Sequence, residues 1–322
     1  MSASQADANP DPAAEQPSVP HRDNGPDKDI ELRQVEQRFH ARGSATGFLT
    51  AVHDTTFTLR AYPPHIVSLV GQSGSGKSTI ARIILGLQQP TSGTVTYGGK
   101  DIFSLSRADY DDYRRNVQPV FQDPYAIFNP VYRVDRVLRT AIKKFGLTSS
   151  KARAAELMEE SLQAVKLDPA QVLGRYPHQL SGGQRQRIML ARVHMLRPRF
   201  IIADEPVSML DAQVRKLFLD ILVDFQRDYG MTTLFITHDL STVYYVGGDV
   251  MVITKGRVVE QGPVAEVMHT PRHPYTKMLL ASVPQPDPDA RWTDRIDLEE
   301  AEREEAGPEV PPGDQALEAR VP

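Results

Sequence analysis

A glycine-rich segment carries the clearest chemical signal in this chain. Residues 71–79 read GQSGSGKST and fit the pattern G-x-x-x-x-G-K-[ST], between the apolar run HIVSLV and the helical pattern STIARIILGL. Glycines let such a loop curl until its backbone N–H groups face inward, where they and the next helix N-terminus hold phosphate oxygens. Lys77 would then reach the β- and γ-phosphates, and the Ser78 hydroxyl would bind Mg²⁺. The segment therefore predicts a nucleotide site rather than a simple Gly/Ser turn.

Two carboxylates follow an apolar run farther along the chain. Asp204 and Glu205 close the run in RFIIADEP, so they stand at the carboxyl end of a predicted buried strand. Open α/β sheets bind their ligands at that edge. Asp204 is suited to hold Mg²⁺, and Glu205 is suited to polarise an attacking water. The alternative is that the two carboxylates have no chemical role and only end the strand before a turn at Pro206. The nucleotide motif at residues 71–79 makes this alternative less favoured.

A third segment predicts a second anion site. Residues 180–187 read LSGGQRQR, with Ser-Gly-Gly at the start of a predicted helix. A serine hydroxyl, open backbone N–H groups and a helix N-terminus together favour a bound anion. One chain cannot easily fold both anion sites onto one γ-phosphate. We therefore expect a second subunit to supply one of them across a symmetric interface.

Taken in order, these motifs resemble the ATP-binding cassette (ABC) ATPases, whose signature is LSGGQ, and the resemblance covers about residues 31–284. It implies that Gln122 in VFQDP is the Q-loop glutamine and that Asp211 in SMLD lies in the D-loop. It implies that His238 in FITHD is the switch histidine. It also implies that Phe39 in QRFH stacks on the adenine, with a core or surface aromatic as the alternative.

The resemblance implies ATP and Mg²⁺ as ligands and a role for each matched residue. Catalytic roles fall to Glu205, His238 and Gln122. Metal ligation falls to Ser78, Gln122 and Asp204. Nucleotide contacts are expected from Phe39, Gly71, Ser73, Gly74, Ser75, Gly76, Lys77, Ser78, Thr79, Ser181, Gly182, Gly183, Gln184 and Asp211.

The C-terminal part of the matched region narrows the resemblance. Residues 272–280 read RHPYTKMLL and look like the HPYT extension of oligopeptide/dipeptide-type importer ATPases. The physical interpretation of the same residues is a helix that Pro274 initiates and whose apolar side chains pack on the core, and both can hold. The chain has no Cys, which excludes the cysteine cluster that some of these relatives carry.

The elements that must position these residues alternate along the chain. Apolar, β-branched runs predict buried, mostly parallel strands at 65–70, 117–121, 199–203, 232–236 and 249–254. Amphipathic stretches predict helices at 77–87, 151–166, 183–196, 212–229 and 263–268. Alternating segments at 30–38, 51–60 and 93–97 favour an antiparallel layer, and helix formers dominate between about 130 and 180. We expect an α/β fold, which the resemblance identifies as a P-loop (RecA-like) nucleotide-binding core with an antiparallel β subdomain and a helical signature subdomain.

Composition separates a body from two flanks. Residues 1–30 carry a net charge of −4 and residues 285–322 a net −8, so that residues 31–284 carry +8. These acidic, Pro-rich flanks predict disordered tails, and neither a secretory signal nor a membrane span is predicted. The domains are expected as a tail at 1–29, an ABC ATPase domain at 30–265 with its helical subdomain at about 125–195, an oligopeptide-type extension at 266–285 and a tail at 286–322.

The predicted function is ATP hydrolysis in an oligopeptide/dipeptide-type ABC importer, at the cytoplasmic face of the inner membrane. The expected partners are a second, paralogous ABC ATPase subunit, two permease subunits and an extracytoplasmic solute-binding protein; the sequence does not identify the solute. The alternative is an ABC-type ATPase of a non-transport complex, such as a carbon–phosphorus lyase accessory protein. Lys77 and Ser181 are 104 residues apart, too close for the coiled-coil arm of DNA-repair relatives. The absence of a clustered Lys/Arg stripe argues against nucleic acid.

Overall fold

Two β-sheets organise the part of the chain that the computed structural model describes, residues 28–41 and 47–282. The predicted tail at 286–322 lies outside these residues, as does the tail at 1–29 apart from Lys28 and Asp29. One sheet has four strands, which lie side by side in the order 48–59, 30–40, 92–97 and 100–101. The other has six, in the order 257–263, 249–254, 66–70, 232–237, 200–204 and 117–120.

The smaller sheet is antiparallel. It consists of β1 (Ile30–His40), β2 (Phe48–Leu59), β4 (Ser92–Tyr97) and β5 (Lys100–Asp101). Inward side chains such as Ile30, which is fully buried, alternate with exposed ones, and this alternation is what lets one face pack and the other meet solvent. The predicted antiparallel layer is confirmed.

The larger sheet is parallel except at one edge. Its strands are β3 (Ile66–Val70), β6 (Val117–Val120), β7 (Phe200–Asp204), β8 (Thr232–Thr237), β9 (Asp249–Thr254) and β10 (Arg257–Pro263). The central strands β3 and β8 are buried along their whole length, so their residues form continuous apolar or small polar runs. The predicted buried, parallel strands are confirmed. Strand β10, which pairs antiparallel with β9, is partly exposed and was not predicted.

The helices cover the sheets and fill the region between β6 and β7. They are α1 (Lys77–Ile84), α2 (Arg107–Asn116), α3 (Asp135–Lys144), α4 (Lys151–Ala164), α5 (Pro169–Val172), α6 (Gly182–Leu196), α7 (Ala212–Tyr229), α8 (Leu240–Val246), α9 (Val264–His269) and α10 (Pro274–Ala281), with 3-10 turns at Pro124–Ile127 and Pro177–Gln179. The helix predicted at 77–87 is too long, because the chain leaves the helix at Leu85 and Gly86 takes a φ of 67°.

The helical region between β6 and β7 packs around the helix that begins at the SGG segment. Leu138 of α3 and Leu162 of α4 share one apolar cluster with Leu190 of α6 and Phe218 of α7. Helix α6 is therefore held by the helical region on one side and by α7, which follows β7, on the other. The concentration of helices that the sequence predicts between about 130 and 180 is confirmed.

The C-terminal helices pack on the edge of the large sheet. Val267 of α9 and Tyr275 of α10 join one apolar cluster with Val70 at the end of β3 and Val252 within β9. The predicted helix that begins at Pro274 is confirmed, and the predicted boundary at 265/266 falls inside α9. None of the helices in the described residues has the length and apolar character needed to cross a membrane.

Candidate active site

The loop after β3 has a backbone that two of its glycines make possible. Gly76 has a φ of 104°, and a Cβ there would lie 2.2 Å from the carbonyl oxygen of Ala51 on β2. A Cβ on Gly71 would lie 2.1 Å from the carbonyl oxygen of Ile253 on β9. The loop thus curls tightly between the two sheets, and α1 begins directly after it at Lys77.

Lys77 folds back into this loop. Its Nζ donates to the carbonyl oxygens of Gly71 and Gln72, both at 2.7 Å, and the residue is only 4% exposed. Burial lowers the pKa of Lys77, while the carboxylates of Glu205 and Asp204 act in the opposite direction. A cation is therefore held inside the loop, in the field of two carboxylates.

Ser78 and Asp204 bring two side-chain oxygens together beside that cation. The Ser78 hydroxyl donates to Asp204 Oδ1 at 3.0 Å. Burial raises the pKa of Asp204, and the hydrogen bond from Ser78 lowers it in partial compensation. In the described residues no group of three or more His, Cys, Asp or Glu side chains could hold a metal alone. A hard divalent cation at this pair would complete its shell with water and phosphate oxygens.

Glu205 and His238 meet because their strands are neighbours. Strands β7 and β8 run parallel with Asp204 opposite Ile236, which brings both carboxyl ends to one edge. His238 Nδ1 lies 3.2 Å from Glu205 Oε1. The Glu205 backbone has a φ of 45°, in the left-handed region, and its N–H donates to the Ile236 carbonyl oxygen. Such strain in a residue other than glycine is typical of functional sites.

Gln122 reaches the same edge through one hydroxyl group. Its Nε2 donates to Ser208 Oγ at 3.2 Å, and the Ser208 hydroxyl donates to the Glu205 carbonyl oxygen at 3.0 Å. The 3-10 turn that follows Gln122 leads into the helical region. The two hydrogen bonds through Ser208 therefore connect the helical region to the backbone of Glu205.

The signature residues use their side chains locally. Ser181 caps α6, accepting from the Gln184 N–H, while Gln184 Oε1 accepts from the Ser181 N–H at 2.9 Å. Asp211 caps α7 by accepting from the Val214 N–H at 3.0 Å. A Cβ on Gly183 would lie 2.4 Å from Val214 Cγ1, whereas one on Gly182 would meet nothing within 4 Å.

The phosphate loop and the signature segment remain apart in this chain. Across residues 28–41 and 47–282, no hydrogen bond or ion pair joins residues 181–184 to residues 71–79. The structure therefore brings together Lys77, Ser78, Asp204, Glu205 and His238 but leaves the second predicted anion site outside the cluster.

Phe39 lies near the phosphate loop but on the smaller sheet. It is 39% exposed and pairs with Leu49 on β2, two residues before Ala51, whose carbonyl oxygen approaches Gly76. Phe39 therefore lies on the strand pair that borders the phosphate loop. The alternative of a core aromatic is excluded by this exposure.

Gln186 is a buried contact that the motif analysis did not single out. It is 1% exposed, and its Nε2 donates to the carbonyl oxygens of Phe121 at 3.1 Å and Pro206 at 2.6 Å. These are the neighbours of Gln122 and Glu205. The signal was available, because Gln186 shares the helical face of Gly183, Leu190 and other buried residues and is a polar side chain on an apolar stripe.

A second connection joins the segment before α7 to the segment after β8. Arg215 donates to Asp239 Oδ2 at 2.8 Å and to the Leu210 carbonyl oxygen at 3.2 Å. Asp239 in turn caps α8. The position of His238 is thus tied to the D-loop that holds Asp211.

We expect Gln186→Leu to lower the free energy of unfolding by about 2–4 kcal/mol and to slow ATP turnover. The substitution removes both hydrogen bonds and leaves buried carbonyl groups unpaired, at about 1–3 kcal/mol each. Denaturant unfolding and steady-state turnover measure the two effects. Gln163→Leu, at an exposed position of α4, is the matched control and should change little. Wild-type stability in Gln186→Leu would contradict the assignment.

Comparison with known proteins agrees with this geometry. The family described as ABC transporter matches residues 53–208, and the family described as oligopeptide/dipeptide transporter, C-terminal region, matches residues 259–309. The first match contains the phosphate loop, the signature and Asp204–Glu205. The second contains the segment of α9 and α10.

Similar proteins cover most of the chain. The oligopeptide transport ATP-binding protein OppF of Salmonella typhimurium is 38% identical over 265 residues, 82% of this chain and 78% of that protein. A putative oligopeptide transport ATP-binding protein of Bacillus subtilis is 40% identical over 260 residues, with 81% and 78% covered. A putative peptide import ATP-binding protein of Brucella ovis is 42% identical over 231 residues, 72% of each chain.

Solved structures give the same result for the fold. An ATP-binding cassette dimer in a post-hydrolysis state, bound to ADP and Pi, superposes with a TM-score of 0.63 at 26% identity, covering 73% of this chain and 98% of that one. The predicted α/β cassette fold is thereby confirmed. With identities of 38–42% to import ATP-binding proteins and a shared cassette fold, this chain belongs to the ABC transporter ATPases of the oligopeptide/dipeptide type.

Proposed function

We propose that this chain hydrolyses Mg-ATP at the edge formed by β3, β7 and β8 and so drives solute uptake by a peptide-type importer. The observation that carries the proposal is the Glu205–His238 pair, 3.2 Å apart, beside a loop whose lysine is buried and oriented. The names of the relatives, which are peptide and oligopeptide import proteins, support the importer type. They do not favour the non-transport alternative.

The phosphate loop would hold the ATP phosphates. Lys77 would exchange its carbonyl partners for β- and γ-phosphate oxygens, and the loop N–H groups would donate to the same anion. Ser78 and Asp204 fit a Mg²⁺ ion, which when bound neutralises charge on the phosphates. The exposed ring of Phe39 would stack on the adenine.

The carboxylate edge would carry out the chemistry. Glu205 would accept a proton from the water that attacks the γ-phosphorus, while the bond to the ADP oxygen breaks. His238 would hold the γ-phosphate and keep Glu205 oriented through their contact. Gln122 would respond to the ligand and pass the change to the helical region that follows it.

A second cassette would complete the site. Residues 181–183 are separate from the phosphate loop in this chain, and the open side of Gly182 leaves its backbone accessible. A related cassette has been solved as a dimer, which supports the expected face-to-face arrangement. ATP would then lie between residues 71–79 of one subunit and residues 181–183 of the other. The partner is expected to be a paralogous ATPase.

A groove between α2, the edge strand β6 and α3 is suited to a permease. It has a volume of about 540 Å³ and is lined by aromatic residues, including Phe121 and Phe145, and by several cations. The cations are Arg114, Arg133, Arg136, Lys144 and Arg192, and among the residues that the structure describes no Asp or Glu lines the groove. A short permease helix with acidic residues fits this chemistry. Such docking would hold the chain at the cytoplasmic face of the inner membrane, while an extracytoplasmic binding protein would deliver solute to the opposite face of the permeases.

The test is co-purification from membranes. We expect tagged wild-type chain to bring down permease subunits, and Arg136→Glu to reduce their amount about tenfold or more, since the substitution places an anion in a cationic groove. Arg139→Glu, on the same helix but outside the groove, is the matched control. Both variants should bind ATP normally. Wild-type chain that brings down no permease would contradict the importer function, and undiminished recovery with Arg136→Glu would contradict the groove assignment.

A further inference from the structure

One peptide unit of the phosphate loop is held at both ends. The carbonyl oxygen of Gly71 accepts from Lys77 Nζ at 2.7 Å. The N–H of Gln72, which belongs to the same peptide unit, donates to the Tyr275 hydroxyl oxygen at 3.0 Å, across 203 residues of sequence. The lysine of the loop thus fixes one end of this plane, and the C-terminal helix fixes the other.

The start of α10 is anchored so that Tyr275 has little freedom. The Glu260 carboxylate of β10 accepts from the Arg272 N–H at 2.8 Å and from the His273 N–H at 3.1 Å. His273 Nδ1 then accepts from the Tyr275 N–H at 3.2 Å, with Pro274 in the first turn. The HPYT sequence therefore encodes a helix cap that aims a tyrosine at the phosphate loop.

Packing restricts the Tyr275 ring, in addition to the hydrogen bonds that hold the backbone at the start of α10. Tyr275 is 6% exposed and lies in the apolar cluster of Val70, Val252 and Val267. Val70 is the last residue of β3 and directly precedes Gly71. The tyrosine therefore contacts the strand end from which the loop departs and the second residue of the loop itself.

The Tyr275 contact would matter most when the nucleotide arrives. Lys77 must then leave the Gly71 carbonyl group for the phosphates, so that the peptide unit loses the bond at that end. The hydroxyl of Tyr275 is the contact that remains to keep the plane from turning. A loop that is already ordered loses less conformational entropy on binding.

We propose that Tyr275 is a positioning residue for the phosphate loop, through which docking of the C-terminal helix sets the affinity for nucleotide. The effect on affinity rests on the proposed function of residues 71–79 in ATP binding. The hydrogen bond to the Gln72 N–H does not depend on that function and can be measured without nucleotide.

The experiment compares Tyr275→Phe with Tyr113→Phe in the full chain. Tyr113 is a matched control because it is also buried and its hydroxyl donates to a backbone carbonyl, that of Ile84 at the far end of α1. In Tyr275→Phe we expect hydrogen exchange of the Gln72 amide, followed by NMR without nucleotide, to become about 3- to 10-fold faster. We expect ATP to bind about 3- to 10-fold more weakly by calorimetry. Tyr113→Phe should change neither value.

A second variant tests the route through the cap. Glu260→Gln keeps the Tyr275 hydroxyl but weakens the anchor of α10, so it should accelerate exchange of the same amide. Unchanged exchange in both Tyr275→Phe and Glu260→Gln would overturn the proposal. Faster exchange with wild-type ATP affinity would overturn the effect on binding. A wild-type chain that binds no ATP would instead overturn the proposed function, which distinguishes the two failures.

Discussion

Replacement of Glu205 by glutamine is expected to give a chain that binds ATP but hydrolyses it about 10²- to 10⁴-fold more slowly. Glutamine has the shape of glutamate and keeps an oxygen at the position that lies 3.2 Å from His238 Nδ1. The Ser208 and Ile236 contacts involve the Glu205 backbone and are retained. What the variant loses is the proton acceptor, so that the chemical step slows while the nucleotide contacts remain.

Turnover of the assembled transporter and ATP affinity of the purified chain measure the two halves of this expectation. Glu156→Gln is the matched control, because it removes the same charge at an exposed position of α4 whose partner is Arg153. Its turnover should equal that of the wild type. Wild-type turnover in Glu205→Gln would refute the role of Glu205 as the base. Loss of ATP binding would instead indicate a structural role for this carboxylate.

The backbone conformation of Glu205 is strained, which makes the fold less stable at this position. A φ of 45° places a residue with a Cβ in the left-handed region, at a cost of roughly 1–2 kcal/mol relative to ordinary backbone. Strand β7, which ends at Asp204, and its parallel neighbour β8, whose Ile236 carbonyl oxygen accepts from the Glu205 N–H, hold the strained residue in place. The strain turns the chain away from β7 directly after Asp204, so that the two adjacent carboxylates have different neighbours, Ser78 and His238.

The sequence predicts best what depends on contiguous residues. Strands β3 and β8 are buried along their length, and their apolar runs could be recognised without knowledge of their partners. Strand β10 was missed because half-exposed residues give no strong pattern and its pairing with β9 follows a short turn. Contacts such as Tyr275 with Gln72 could not be predicted, because nothing in either local sequence specifies which distant residues will meet.

Some predicted site residues illustrate a different limit. Ser181 and Gln184 have the spacing of a helix-capping box as well as that of a signature motif, and Asp211 has the spacing of a helix N-cap. In the single chain the capping role is the one realised. The predicted nucleotide role is one that we expect only in an assembly of two cassettes, for which the fold of one chain already fixes the helix ends.

Replacement of Lys77 by alanine is expected to weaken ATP binding by about 10- to 100-fold, since hydrogen bonds to charged groups contribute roughly 1.5–3 kcal/mol each. The variant also deprives the Gly71 and Gln72 carbonyl groups of their donor, so that the loop is less ordered before the nucleotide binds. Calorimetry measures the affinity, and thermal unfolding with and without ATP provides a second test. Ligand binding to the folded state raises the melting temperature, and this rise should largely disappear in the variant.

Lys77→Arg separates charge from shape, because it keeps the cation but not the compact ammonium that fits between two carbonyl groups. It should recover only part of the affinity. Unchanged ATP affinity in Lys77→Ala would refute the role of Lys77 in phosphate binding and would leave its two hydrogen bonds to the Gly71 and Gln72 carbonyl groups as its only function.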